Sequence, residues 1–261
     1  KWHGRHTTIM FGSSQESHNH SREVLDVIET FYEFMISVGT VADMGGGTGL
    51  DAEWWATRET DPEVDSTGIA QPLNIKSVVI DDGDQFNANH PNVTHLKLDM
   101  ENTGLDREQY DVITSHNSLQ YAVNPVATLR HWWDLCNPNG MLILQIPQTT
   151  NIKYNRHDIS NPNNEYYHYT LVNLMHMLAV NGWDCKSGLF TKGLRDPWIK
   201  AVVYKGDVKP QNPRTTSWND LAELDLLPDS AVHSINRWGY VKQEDLVLPW
   251  FAGHLDAYNT H

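Results

Sequence analysis

The chain has 261 residues, enough for one large domain or two small ones, with 19 Lys plus Arg against 33 Asp plus Glu and a net charge of −14 when histidines are neutral. That balance argues against nucleic-acid binding by general phosphate attraction, which needs basic surface, and leaves only a local grip on such a substrate. Hydrophobic residues at 39% supply a sizeable core, no apolar run approaches the ~18 residues of a membrane span, and the opening KWHGRHTTIMFGSS lacks the apolar segment of a secretory signal. Cys136 and Cys185 make neither a disulfide framework nor, by themselves, a zinc site. The expectation is a soluble, cytoplasmic protein built on one core.

The first predicted helix runs from Ser21 to about Val38, with Ser21 as N-cap and Val24, Ile28, Phe31 and Met35 on one apolar face. Gly39 leads into a short strand, Thr40 to Asp43, and then the glycine cluster GGGTG. A second strand, Ile75 to Ile80, ends in the acidic turn DDGD; a third spans Val93 to Asp99, a fourth Tyr110 to Ser115 and a fifth Met141 to Pro147. Between the last two, Val126, Leu129, Trp133 and Cys136 mark a helix face, and Pro138, Asn139 and Gly140 end that helix in a turn. The polar stretch QTTNIKYNRHDISNPNNEYYHY is too long for an ordinary connector. Thr170 to Asn181 reads as a helix, and DCKSGLFT and WIKAVVYK as two final strands able to pair antiparallel. Pro and Asn accumulate from Lys205 to Arg214 as a linker, followed by a short helix, Ser217 to Leu227, in which Ser217 and Asp220 are spaced as a capping box. Strands alternating with helices predict an α/β fold with a mostly parallel sheet and ligands beyond the carboxyl ends of its strands. The expected division is an N-terminal segment 1–20, a main domain 21–205 and a C-terminal extension 206–261 that packs on the core or in a homodimer contact.

Glycines between a strand and a helix let backbone approach a ligand closely, and the helix N-terminus behind them favours negative charge. VADMGGGTG places Asp43 at a strand end and Gly45, Gly47 and Gly49 on alternating positions. The G-x-G-x-x-G spacing of nicotinamide enzymes, counted from Gly45, falls on Leu50, so a hydride-transfer reading fits poorly. Asp81 and Asp82 follow the second strand, where a carboxylate can accept two hydrogen bonds from a ribose diol. Asp99 ends the third strand and could accept from an exocyclic amino group; each acid alone also suits a strand-end turn. Together they suit a ligand with adenine, ribose and a charged tail.

On these residues the chain resembles the class I, Rossmann-like S-adenosylmethionine-dependent methyltransferases. VADMGGGTG is similar to that family's D-x-G-x-G-x-G loop, VVIDDGDQF to its second-strand acidic motif and LKLDMEN to its adenine-contacting motif. YDVITSHNSLQYAVNP resembles its fourth-strand motif and LCNPNGMLILQIP its L-x-P-G-G segment, with Asn139 in place of a glycine. The resemblance covers about Val24 to Lys205 and implies a seven-stranded sheet with helices on both faces, its last two strands a hairpin. It implies S-adenosylmethionine as cofactor, with Gly45 and Gly47 against the methionine part and Asp43 holding the loop and the amino group. It also implies Asp81 on the ribose hydroxyls, Asp99 on the adenine amino group, the backbone of Met100 on the ring, and Ser115 and His116 at the sulfonium end. The segment TRETDPEVDSTGIAQPLN lengthens the crossover ahead of the second strand, which keeps both Asp81 and Asp82 open as the ribose ligand.

The fourth-strand residues Ser115, His116, Asn117 and Ser118 lack the proline pair of amino-group and glutamine-amide methylases, and neither cysteine lies behind a proline as cytosine C5 methylation requires. A small-molecule or sugar-like acceptor is therefore expected, with a protein or RNA acceptor, or a cofactor-binding module without catalysis, as the alternatives. A general base is needed only if the acceptor must lose a proton; His116 is the first candidate and His168 the second, each also explicable as an ordinary strand-end or pre-helix residue. Tyr154, His157, Tyr166 and Tyr167, from the long polar stretch, suit an acceptor lid or the rim of the core. His3, His6, His18 and His20 find no cysteine or paired acid nearby, so no metal is expected. Trp218, Trp238 and Trp250 are expected to anchor the tail.

Overall fold

The computed structural model describes residues 22, 24–26, 28–29, 31–62, 68–148, 167, 169–192, 198–242 and 246. Ser21, Tyr154, His157, Tyr166, His168, Trp250 and the four N-terminal histidines lie outside that set. The helices are α1 (Tyr32–Met35), α2 (Leu50–Ala56), α3 (Pro125–Leu135), α4 (Leu171–Val180), α5 (Trp218–Glu223) and α6 (Asp229–His233). The strands are β1 (Thr40–Met44), β2 (Lys76–Ile80), β3 (Val93–Leu96), β4 (Tyr110–His116), β5 (Cys136–Pro147), β6 (Trp183–Lys192) and β7 (Trp198–Lys205). They form one sheet in the order β3-β2-β1-β4-β5-β7-β6, parallel except for β7, which runs antiparallel to β5 and to β6. This is the mostly parallel Rossmann-like sheet with a terminal hairpin that the sequence leads one to expect.

Strand alternation divides the core in two. One face carries Val41, Val112, Met141, Ile143 and Val202 against Val24, Leu25, Ile28, Trp54 and Trp55. The other carries Ala42, Met44, Ile113, Leu142 and Leu144 against Leu129 and Trp132 of α3 and Leu174 and Leu178 of α4. Trp218, Leu221, Leu226, Ala231, Val241 and Leu246 belong to this second cluster, so the chain beyond the linker covers α4. The Trp218 ring meets His176 of α4 edge-on at 5.1 Å, while Trp238 is exposed. Among the described residues no helix is long and apolar enough to cross a membrane.

Local chemistry explains most boundaries. Thr170 and Asn173 form a capping box at the start of α4, Ser217 and Asp220 another at α5, and Asn124 accepts from the Ala127 N–H to open α3. Three boundaries differ from the sequence reading. The first apolar face is buried at Val24, Ile28 and Met35 as expected, and the described residues 22, 24–26 and 28–29 are helical, but the helix is interrupted at Phe31 before α1 (Tyr32–Met35) and stops short of Val38. On α3 the buried residues are Pro125, Thr128, Leu129, Trp132 and Leu135: of the expected face Leu129 is buried, Val126 and Trp133 are only half-buried, and Cys136 is buried but belongs to β5. Trp133 sits at the rim, its Nε1–H donated to the Gly182 carbonyl at 3.1 Å and its ring under Lys205 Nζ, while Cys136 has already turned extended.

The Pro138–Asn139–Gly140 turn lies inside β5, not before it. Pairing jumps from Tyr110↔Cys136 to Val112↔Met141, so the chain bulges, with Asn139 at φ 62. A Cβ on Gly140 would come within 2.8 Å of the Asp111 carbonyl. The lengthened crossover is spent in an excursion after α2, where Thr60 N–H donates to Gln71 and Leu73 N–H to Arg58. Consequently β2 still pairs in regular register with β1, Asp43 opposite Val79, and ends beside the glycine loop.

Candidate active site

The site forms where β1, β2, β4 and β5 end. Asp43 is the penultimate residue of β1 on the α2 side of the sheet, and α2 starts seven residues later, so its first turn closes over the carboxyl. Asp43 is only 1% exposed, and among the described residues its Oδ2 has no hydrogen-bond partner. Burial pushes its pKa well above the ordinary carboxyl value, the nearby charges of Asp51 and Asp81 push it further, and the Ala52 backbone N–H draws it back. Three acids thus converge on one short loop with no lysine or arginine among the groups that shift Asp43. Such a site fits a ligand that brings positive charge.

The glycines fit that ligand sterically. Gly45 has φ 70 and donates its N–H to the Ile80 carbonyl at 2.7 Å, and a Cβ there would lie 2.5 Å from Ser118 Cβ. A Cβ on Gly46 would sit 2.6 Å from Asp43 Cγ. Gly47 is different: its Cβ position meets nothing nearer than Gln85 Nε2 at 3.9 Å, so this is where the loop backbone is open to a ligand. The side chain of Asp81 accepts from the Gly47 N–H at 3.0 Å and from Gly83 N–H at 2.7 Å. Behind it, His95 Nε2 lies 3.0 Å from the Asp81 carbonyl oxygen, and the His95 ring stacks on Phe86. Asp82 is exposed, so of the two acids only Asp81 turns toward the glycine loop.

Asp99 is exposed and accepts from Glu101 N–H at 2.8 Å. Met100 is fixed by its carbonyl, which accepts from Trp132 Nε1–H at 2.9 Å, while Glu101 accepts from the N–H groups of Val123 and Asn124 ahead of α3. The adenine-motif loop is thus tied to α3 at two points. Ser115 lies on the sheet face opposite His116, fully buried, and donates to the Met44 carbonyl at 3.0 Å, tying β4 to the end of β1. The structure therefore gathers Asp43, Gly45, Gly47, Asp81 and His116, and sets Ser115, Asp82 and Asp99 around them in outward-facing or supporting positions.

His116 ends β4 with its side chain buried. Its Nδ1 lies 2.7 Å from Asp51 Oδ2, and its Nε2 has no partner among the described residues. Tyr167 donates its hydroxyl to the Val123 carbonyl and Tyr169 donates to the Leu119 carbonyl, both just beyond the end of β4; His168 lies outside the described residues. Burial pushes the Tyr169 hydroxyl pKa far up, keeping it a donor.

Sequence reasoning missed Asp51, Ser118 and Gln145. Asp51 carried no signal, since an acid in a first helical turn is ordinary dipole complementation. Ser118 holds the loop by donating to the Gly45 carbonyl at 3.0 Å and to His116. Gln145 did carry one: it is the single polar residue of the run MLILQIP, and it is fully buried next to His116 in the β4–β5 register. Among the described residues, no group of His, Cys, Asp and Glu could hold a metal ion.

A methyltransferase-domain family model matches residues 17–191 of the chain. By sequence, no curated protein matches. Among solved structures, a protein from Galdieria sulphuraria assigned as a sarcosine dimethylglycine methyltransferase superposes with a TM-score of 0.55 at 11% identity, over 74% of this chain and 88% of that one. One from Listeria monocytogenes, assigned as an S-adenosylmethionine-dependent methyltransferase, gives 0.51 at 15% identity, over 72% of this chain and 100% of that one. The CurJ carbon methyltransferase gives 0.50 at 15% identity over 73% of this chain, which spans 54% of its length. These likenesses are likenesses of fold. The family match covers more than half the chain, and with an acid-ringed glycine loop at the carboxyl end of β1, the chain belongs to the methyltransferase-domain family, with S-adenosylmethionine as its cofactor.

Proposed function

We propose that this methyltransferase acts on a small-molecule or sugar-like acceptor in a cytoplasmic setting. One observation carries the reading: the polar groups on offer at the ends of β4 and β5, His116 and Gln145, are buried, at 6% and 0% exposure. An acceptor that uses them has to enter the protein, which suits a small molecule better than a surface on a macromolecule. The net charge of −14 supports the same choice against nucleic acid. The cytoplasmic part is supported by Cys136 and Cys185, both free and buried.

In this reading the cofactor supplies a methyl group on a sulfonium, and the chain binds and orients. Asp81 accepts from the ribose hydroxyls through a carboxylate already aligned on Gly47, with Asp82 beside it. The unpartnered Oδ2 of Asp43 accepts from the ammonium of the methionine part, with Gly45 and Gly47 giving the backbone room. Asp99 and the backbone of Met100 take the adenine, and His116 is the base for an acceptor that must lose a proton; Ser115 supports the β1 end and His168 remains the second candidate base. Because the displacement at the methyl carbon is in line, this positioning is the enzyme's main contribution.

The test is S-adenosylhomocysteine formation by the full chain with radiolabelled S-adenosylmethionine against three pools: a cytosolic small-molecule extract, total RNA and total protein. Label transferred to the small-molecule fraction alone supports the reading. Label in RNA or protein overturns it.

A further inference from the structure

Four strands contribute to a polar row on the α2 side of the sheet. Asp43 lies opposite Thr114, His116 opposite Gln145, and Gln145 opposite Lys200, all on the face that also carries Val41, Val112, Met141, Ile143 and Val202. Residues in register stand side by side on one face. A face that is apolar along most of its length therefore turns polar where the strands end.

Besides Asp43 Oδ2, two members of this row have atoms without a partner among the described residues. Gln145 is 0% exposed, and neither its Nε2 nor its Oε1 has a hydrogen-bond partner. His116 Nε2 is likewise buried and unpartnered, although Nδ1 is held by Asp51 at 2.7 Å. A buried amide with both ends unmade is costly unless something else completes it. A carboxylate only accepts, so the Asp51 contact calls for a proton on Nδ1, and in the neutral imidazole this leaves Nε2 with a lone pair.

We propose that Asp51 and Gln145 complete an acceptor-reading unit around His116, fitted to a hydroxyl acceptor that carries a second hydroxyl or a carbonyl on the neighbouring carbon. This rests on the methyltransferase reading above. His116 Nε2 accepts from the hydroxyl to be methylated. Gln145, alongside, reads the neighbouring group, donating through Nε2 and accepting through Oε1 as a hydroxyl requires. In the transfer the acceptor oxygen forms the new C–O bond, the C–S bond breaks with its electron pair left on sulfur, and the hydroxyl proton passes to His116 Nε2. The imidazolium that results stays paired with Asp51. Asp51 is a positioning residue, since it acts on the acceptor only by fixing which ring nitrogen is bare.

The experiment uses the full chain with ring-15N histidine, saturated with S-adenosylhomocysteine, and catechol and phenol as the probes. Calorimetry first establishes that S-adenosylhomocysteine binds the unmodified chain; a failure there removes the parent reading and this refinement with it, and is told apart from a failure of the acceptor unit alone because it comes before any acceptor is added. The His116 signals are identified by their loss in His116→Gln. The expected spectrum shows Nδ1 protonated and Nε2 bare, and Asp51→Asn, whose amide can donate to Nδ1, moves the proton to Nε2. A proton on Nε2 in the unmodified chain, or no change in Asp51→Asn, overturns the role of Asp51. Catechol is expected to shift the Nε2 signal and to bind at least tenfold more tightly than phenol, with the preference gone in Gln145→Leu. Equal binding of the two probes, no shift with catechol, or a preference retained in Gln145→Leu overturns the acceptor class.

Discussion

Replacing Asp43 by Asn tests the electrostatics of the cofactor loop from two sides at once. In the fold the carboxyl is buried beside Asp51 and Asp81, and both burial and those charges raise its pKa well above the ordinary value. The sign follows from proton linkage: the folded state holds this proton more tightly than the unfolded state does. Stability from Asp43 is therefore lost as pH rises from the unfolded carboxyl pKa, about 4, toward the raised folded value, and the full penalty applies above it. The amide of Asp43→Asn keeps an oxygen for the Ala52 N–H and carries no charge. The difference in unfolding free energy between variant and parent should favour the variant increasingly as pH rises through that window. Ligand binding should move the opposite way. A hydrogen bond to a charged group is worth about 1.5–3 kcal/mol, so Asp43→Asn should weaken S-adenosylmethionine roughly tenfold to a hundredfold near neutral pH. Urea unfolding across pH gives the first quantity and titration calorimetry the second. Equal affinity, or a stability difference that does not grow with pH, would refute the placement of Asp43 as an uncompensated acid awaiting a cation.

Gly46→Ala should cost at least tenfold in S-adenosylhomocysteine affinity by calorimetry, because a Cβ there comes within 2.6 Å of Asp43 Cγ and the acid or the loop has to move; affinity within twofold of the parent would show that the loop yields freely. Trp132→Phe removes the Nε1–H that holds the Met100 carbonyl at 2.9 Å; urea unfolding should show a loss of about 1–3 kcal/mol, with a weaker adenosine contact alongside it. Leu174→Ala, at a fully buried position between α3, α4 and the tail, should destabilise by about 2–5 kcal/mol with the urea m-value unchanged. A change under about 1 kcal/mol at this position would show that the second core cluster can collapse around the gap.

The regular part of the fold was legible because period-2 apolar runs and cap residues act locally. WIKAVVYK coincides with β7, and Thr170, Ser217 and Asp220 cap helices as their spacing implies. The boundary errors occurred where tertiary contacts override local signals. Pro138 to Gly140 looks like a turn, but pairing of Cys136 with Tyr110 draws it into a strand as a bulge. The face of α3 was read one residue off because Trp133 is apolar by type while its N–H and ring are spent at the rim on Gly182 and Lys205. In the site, Asp43, the glycines and Asp81 announce themselves through motif spacing. Asp51 does not, since what matters about it is a neighbour 65 residues away; Gln145 shows in the sequence as the one polar residue of an apolar run, which does not reveal that its amide lacks a partner among the described residues. Pairings between distant residues leave no periodic trace in a chain.

The antiparallel β7 has a bearing on how the chain comes to fold. It lies between β5 and β6, yet it is the last strand to be synthesised. When β6 leaves the ribosome there is no sheet edge waiting for it, because the strand that joins it to β5 has not yet appeared. The match to the family model stops at residue 191, inside β6, so a protein cut at that limit would end with an unpartnered strand and an open edge on β5. Completion of the sheet and cover for α4 by Trp218 and Leu221 both wait on the final quarter of the sequence. Nascent chains halted before β7 should accordingly be the species most in need of a chaperone.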